Sequence, residues 1–215
     1  TMYRITLLVL TLLLAGCDQQ SAPPEQIYPW QITLLPDGGS RVFGITLNDT
    51  QLGQAQSVLG AHFDAGLFEN PDGSLSLEIF YNEVTLGGLS GKFILTLAAS
   101  QDLLEAMRER AVGQKRTDSG ALRYRLAKTE QQNMLKLPIS AISYIPYVDL
   151  DEEMVQQRFG TPLDRIVVAE GKRHLLYPDK GLDLLLDNDG KELLQYVAPR
   201  DFSRLRQPLL RPSDS

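Results

Sequence analysis

Cysteine occurs once in the 215 residues, at Cys17, so the chain holds no internal disulfide framework and no multi-cysteine metal site. Histidine occurs twice, at His62 and His174, which argues against a polyhistidine metal centre. Aromatic residues are scarce at 7% and leave little material for a long carbohydrate-stacking platform. Tyr144, Tyr147, Tyr177 and Tyr196 are the residues that could build one, and ordinary core and strand aromatics are the simpler reading. Positive charge is in deficit, with 21 Lys and Arg against 27 Asp and Glu, which argues against a nucleic-acid-binding surface. Hydrophobic residues at 43% and charged residues at 22% are globular proportions and exclude disorder as the overall description.

The chain also lacks a long apolar run near its start. Ile5 to Leu14 is uncharged but only ten residues long. As a helix it spans roughly 15 Å, about half the hydrocarbon core of a bilayer. Arg4 precedes it as the positive n-region of a secretory signal. It ends in Leu14-Ala15-Gly16-Cys17, which resembles the bacterial lipobox of lipoproteins. That resemblance implies a diacylglyceryl group on the Cys17 thiol, cleavage that makes Cys17 the new N-terminus, and acylation there, for instance with palmitate. Each buried acyl CH₂ contributes about 0.8 kcal/mol, so two or three chains anchor a protein stably. Asp18, directly after the cysteine, resembles the sorting signal for retention in the inner membrane, which favours that membrane over the outer one. The plain alternatives are a signal peptide with an incidental cysteine, and Asp18 as the first residue of a linker.

Residues 1–16 therefore read as a lipoprotein signal peptide and 17–29 as a lipidated N-terminus and flexible tether. The tether is polar and carries Pro23, Pro24 and Pro29, a composition that gives a semi-extended spacer. Folding is expected to begin near Trp30. Charge is uneven beyond it: residues 18–100 hold nine acidic and two basic residues, residues 101–215 eighteen of each. Arg108, Arg110, Lys115, Arg116, Arg123, Arg125 and Lys128 form a basic stretch. It reads either as a docking patch for an anionic membrane or acidic partner, or as an ordinary solvated face, since Asp102, Glu105, Glu109 and Asp118 interleave with it.

Periodicity and turn residues predict an α+β fold. Gln31–Leu35 and Arg41–Leu47 flank Pro36-Asp37-Gly38-Gly39 as a hairpin. A helix capped by Asn48 or Asp49 runs to Leu59 and stops at Gly60. Ser74–Tyr81 and Lys92–Leu97 read as strands, and Gln101–Val112 as a second helix. Tyr124, Leu126, Leu137 and Ile139–Ile145 look extended. Asp151–Phe159 is a third helix, stopped by Gly160. Arg165–Ala169, His174–Tyr177, Leu182–Leu186 and Glu192–Val197 follow as strands joined by glycine-bearing turns.

The segments 49–60 and 149–160 share length, terminal glycine and a large penultimate apolar residue. A polar cap, a short helix ending in (Leu/Phe)-Gly and a β-meander together resemble the unit of the SmpA/OmlA and β-lactamase-inhibitor-protein-like families. The match is best over Tyr147–Pro199, with Phe159-Gly160-Thr161-Pro162 and Tyr177-Pro178-Asp179-Lys180-Gly181-Leu182. It implies two related helix-plus-antiparallel-meander units, forming one or two small sheets with short helices packed on them. The expected units are 30–113 and 114–200, with a peripheral tail at 201–215.

No catalytic residue emerges. Gly88-Leu89-Ser90-Gly91 lacks the spacing of a nucleophile elbow, and Gly87–Lys92 lacks the ending of a phosphate loop. His62 and His174 read as surface or structural histidines. The acids Asp149, Asp151, Glu152 and Glu153 suit the start of a helix better than an EF-hand. Asp187-Asn188-Asp189-Gly190 reads as a hairpin turn, and no metal or cofactor is expected. With 27 acidic residues, nothing singles out a glycosidase pair. The expectation is a periplasm-facing, membrane-anchored lipoprotein that binds an envelope protein without catalysis. The alternative is a periplasmic ligand-binding or cell-wall-modifying protein using a cleft between the two units.

Overall fold

The computed structural model describes residues 27–210. The signal segment, Cys17, Asp18 and most of the tether lie outside the described residues, as do 211–215. The elements in chain order begin with β1 (Thr33–Leu34), β2 (Ser40–Val42), β3 (Ile45–Thr46) and α1 (Leu52–Leu59). Next come β4 (Asp64–Glu69), β5 (Leu75–Leu86), β6 (Leu89–Leu97) and α2 (Gln101–Glu109). A short hairpin of β7 (Gly113–Arg116) and β8 (Leu122–Arg125) leads to the single turn α3 (Gln131–Met134) and to β9 (Ile139–Pro146). The last part holds α4 (Glu152–Phe159), β10 (Asp164–Ala169), β11 (Lys172–Tyr177), β12 (Leu182–Asp187), β13 (Leu193–Val197) and α5 (Ser203–Leu209).

The α+β class is as expected; the sheet is larger than expected. Strands β1-β2-β3 form a small sheet, and the other ten form one sheet in the order β10-β11-β12-β13-β9-β6-β5-β4-β8-β7. All its pairings are antiparallel. One large sheet replaces one or two small ones because β9 pairs on one side with β6 and on the other with β13, as in Leu95↔Ile142 and Ile142↔Tyr196. Alternation then places Leu77, Ile79, Phe93, Leu95, Ile142, Leu184 and Leu194 in one core with Leu52 and Ala55 of α1, Met107 of α2 and Val155 and Phe159 of α4. Across the sheet, Leu176, Val197 and Phe202 form a second, smaller cluster beneath Leu205 and Leu209 of α5. The segment expected as a peripheral tail thus sends Phe202 into the interior.

The expected strand Arg41–Leu47 is broken. Phe43 and Gly44 have φ of 53° and 74° and form the two-residue turn of a hairpin that pairs Val42 with Ile45. A phenylalanine tolerates that backbone here because its buried ring is held by three others. The centroids of Phe93, Tyr144 and Tyr196 lie 4.9, 5.3 and 5.5 Å away. The cap of α1 is also corrected. It is Gln51, whose N–H donates to Gln54 Oε1 at 2.8 Å. Asn48 instead adopts φ 66°, donates its backbone N–H to the Ile139 carbonyl, and bonds Asp201 through its side chain. The second helix ends at Glu109, short of Val112. For α4, Asp151 is the cap, accepting from the Met154 N–H at 2.7 Å.

Helices α1 and α4 match at an offset of one hundred residues, and so do β4 and β10. Gly60 and Gly160 each donate N–H to the carbonyl four residues back, Gln56 and Gln156, at 2.9 Å. Their φ,ψ values are 95°,165° and 83°,−168°, a region open essentially to glycine alone. Added methyl groups at either site have room, so backbone strain is the whole effect. Gly60→Ala and Gly160→Ala are each expected to cost about 1–3 kcal/mol in urea unfolding, with similar values for the two.

Candidate functional site

The folded body begins as a clamp. The Pro29 carbonyl accepts the buried Tyr196 hydroxyl at 3.0 Å. Trp30 packs edge-on against Phe159 of α4, stacks on Tyr28, and carries the Arg158 guanidinium 4.7 Å from its ring centre. The segment entering from the tether is therefore fixed to α4 and β13.

The two edges of the large sheet differ in chemistry. The β7 edge is Gly-Gln-Lys-Arg, exposed throughout, and charge on an edge discourages strand addition. The β10 edge, Asp-Arg-Ile-Val-Val-Ala, has no such protection along its apolar half. Val167 is 74% exposed, Val168 49%, and Leu163 just before the strand 77%. Period-two geometry sets Leu163, Arg165 and Val167 on one side, and Arg165 is drawn back to Glu152 of α4 at 3.3 Å. A register shift between Val167 and Ala169 ends the regular ladder, leaving Asp164–Val167 as its straight part.

A second feature gathers two acidic stretches that are far apart in sequence. The start of α4 and the turn between β12 and β13 enclose a cleft of about 620 Å³, within the range of ligand sites. Its lining includes the carboxylates of Asp149, Asp151, Glu152, Asp187, Asp189 and Glu192, against the cations Arg173 and Lys191. Three of the acids have salt-bridge partners: Asp149 with Lys191 (3.1 Å), Glu152 with Arg173 (3.0 Å) and Asp187 with Lys172 (2.9 Å). The Lys172 hydrogen bond holds Asp187 below the usual carboxylate range. Burial alone would raise Glu152, but hydrogen bonds and charge from Arg173 and Arg165 outweigh it and hold Glu152 low. Glu192 is different. It is 6% exposed, and its Oε2 is buried without a hydrogen-bond partner.

The remaining sequence candidates are distributed across the fold. His62 is exposed after α1. His174 is buried on β11, with Nδ1 2.9 Å from both oxygens of the buried Asp183 on β12. An ionised carboxylate only accepts, so Nδ1 is the donor in this pair. Tyr144, Tyr177 and Tyr196 are core residues and Tyr147 is exposed. Burial pushes the Tyr144 and Tyr177 hydroxyls up to about 12. Gly87 and Gly88 form the turn between β5 and β6, with Leu86 paired to Leu89.

The basic stretch is largely engaged locally. Arg108 pairs with Glu69 and Arg110 with the buried Glu130. Arg116 and Arg125 donate to backbone carbonyls, and Arg123 lies over the rings of Phe68 and Phe80. Among the described residues, no group of three or more His, Cys, Asp or Glu side chains is arranged to hold a metal ion, and no helix is long and apolar enough to cross a membrane.

Comparison of the chain with protein-family models, with curated proteins and with solved structures returns no match.

Proposed function

We propose that this chain is a lipid-anchored protein of the bacterial cell envelope that faces the periplasm. In this reading its α+β body binds an envelope protein and performs no catalysis itself. The exposed apolar edge of β10 carries the binding half of the reading. A partner segment in extended conformation would add as an eleventh strand centred on Ile166 and Val167, since the charges of Asp164 and Arg165 are paired within the protein to Arg206 and Glu152. Main-chain hydrogen bonds would supply affinity, and apolar side chains set against Leu163 and Val167 would supply selectivity. The opposite edge supports this by contrast, since β7 presents Lys115 and Arg116 where β10 presents valines.

The anchoring half rests on Leu14-Ala15-Gly16-Cys17, with Asp18 favouring the inner membrane. The clamp at Pro29 and Trp30 fits it, because it fixes the point at which the tether joins the folded body. Fractionation tests it: the Cys17→Ser protein is expected in the soluble periplasmic fraction, and the unaltered protein in membranes after high-salt and carbonate washing. A Cys17→Ser protein that stays membrane-bound through those washes contradicts the anchor.

We further infer that the body is a duplicated unit, α1-β4-β5-β6-β9 and α4-β10-β11-β12-β13. The sheet order supports it. Read outward from the central β13–β9 pair, β12-β11-β10 on one side corresponds to β6-β5-β4 on the other. In this view α2, β7, β8 and α3 are an insertion between β6 and β9. The boundary falls near residue 147, later than the division at 113 and 114 expected from sequence. This arrangement is compatible with the SmpA/OmlA-like and inhibitor-protein-like resemblance.

A further inference from the structure

We propose that the cleft between the start of α4 and the β12–β13 turn binds a ligand carrying two or more alkylammonium groups, with Glu192 at the centre of the site. Carboxylates alone would not make this case, because salt bridges within the protein satisfy three of the six. Glu192 is the deciding observation. A carboxylate oxygen buried without a donor is an unfilled acceptor, and an ammonium group entering the cleft supplies the donor it lacks. Asp189 lines the same cleft and has no salt bridge within 4.0 Å, and Asp151 is engaged only in capping α4. Carboxylates outside any salt bridge therefore stand on the turn (Asp189), just before β13 (Glu192) and at the helix start (Asp151).

The arrangement selects among cations. The acids do not converge as a metal site, so a single small ion would reach too few of them. Separated ammonium groups would meet separated carboxylates. Leu150 and Leu186 also line the cleft, and they suit the methylene spacer between two such charges. Both a free polyamine and a lysine-bearing segment of another protein offer this chemistry. The site is lined by Asp149–Glu152, Arg173 and Leu186–Glu192 and by no residue of β10, so its test is separate from that of the β10 edge.

The test is calorimetric titration of the full chain at low salt with spermidine, with tetralysine and with calcium chloride. Saturable binding of spermidine or tetralysine is expected, weakened at least ten-fold in both Glu192→Gln and Asp189→Asn. Glu83→Gln, at an exposed position on β5, is expected to leave affinity unchanged. Tighter binding of spermidine identifies a free polyamine as the ligand source, and tighter binding of tetralysine a protein segment. Glu192→Gln keeps the shape of the side chain and Asp189 is exposed, and urea unfolding of both variants that matches the unaltered protein shows that lost binding is not lost structure. The proposal is overturned by no saturable binding of either amine, by equal affinity in the Glu192→Gln protein, or by calcium as the sole ligand.

Discussion

Replacing Phe43 with alanine is expected to lower the stability of the folded body by about 3–5 kcal/mol, the range for truncating a fully buried aromatic ring. The reason lies in its position as well as its size. Phe43 is 1% exposed and sits at the meeting point of β6, β9 and β13 through Phe93, Tyr144 and Tyr196. Phe93 and Tyr144 are themselves 4.7 Å apart, so the cavity left by the ring would open between strands of both halves of the sheet. Those strands are bonded to one another and cannot collapse inward, which places the cost toward the upper end. The small sheet would also lose one of its attachments to the core, leaving Val42 and Ile45. Equilibrium urea unfolding measures the loss. Leu34→Ala, at an exposed site on β1, should change stability by no more than about 0.5 kcal/mol.

The second large effect is on binding. Val167→Lys is expected to reduce recovery of the partner protein with the full-length chain by about ten-fold or more, since one desolvated anchor carries that much at an interface. A lysine on the strand edge adds a charge that strand addition would have to bury. It should leave the fold intact, because Val167 is largely exposed and its neighbours on β11 keep their pairing. Unfolding of the variant should therefore match the unaltered protein within about 0.5 kcal/mol. Lys115→Val on β7 serves as the converse control and should not lower recovery.

Much of the second half was legible because its signals are local. Apolar alternation in Leu182–Leu186 and the turns Glu170-Gly171 and Asn188-Asp189-Gly190 mark strands and their ends without reference to the rest of the chain. The cap Asp151 and stop Gly160 do the same for α4. What escaped was set at a distance. Strand β4, with Asp64, Gly66 and Glu69 among six residues, has little strand propensity, and exists because β5 and β8 flank it. Strand β7 has no apolar residue at all. The break at Phe43 is dictated by rings from β6, β9 and β13. Asn48 looked like a helix cap but is used to join β9 and Asp201.

The same distinction applies to the sites. The residues of β10 read as a strand, but only the order of the sheet makes it an edge. Both acidic stretches were visible, each explained by its own local chemistry, as a helix start and as a turn. Their convergence needs β12 and β13 to carry the turn beside α4. The unpartnered Glu192 oxygen depends on that packing and has no sequence signal.

The most direct measurement is site-specific photocrosslinking in cells, with a photoreactive amino acid at position 167 of β10 in the full-length chain and, as a reference, at position 115 of β7. The account predicts one discrete adduct from position 167, containing a different envelope protein, and none from position 115. Adducts of equal yield from both edges, an adduct with a second copy of this chain, or crosslinks to lipid alone would contradict it.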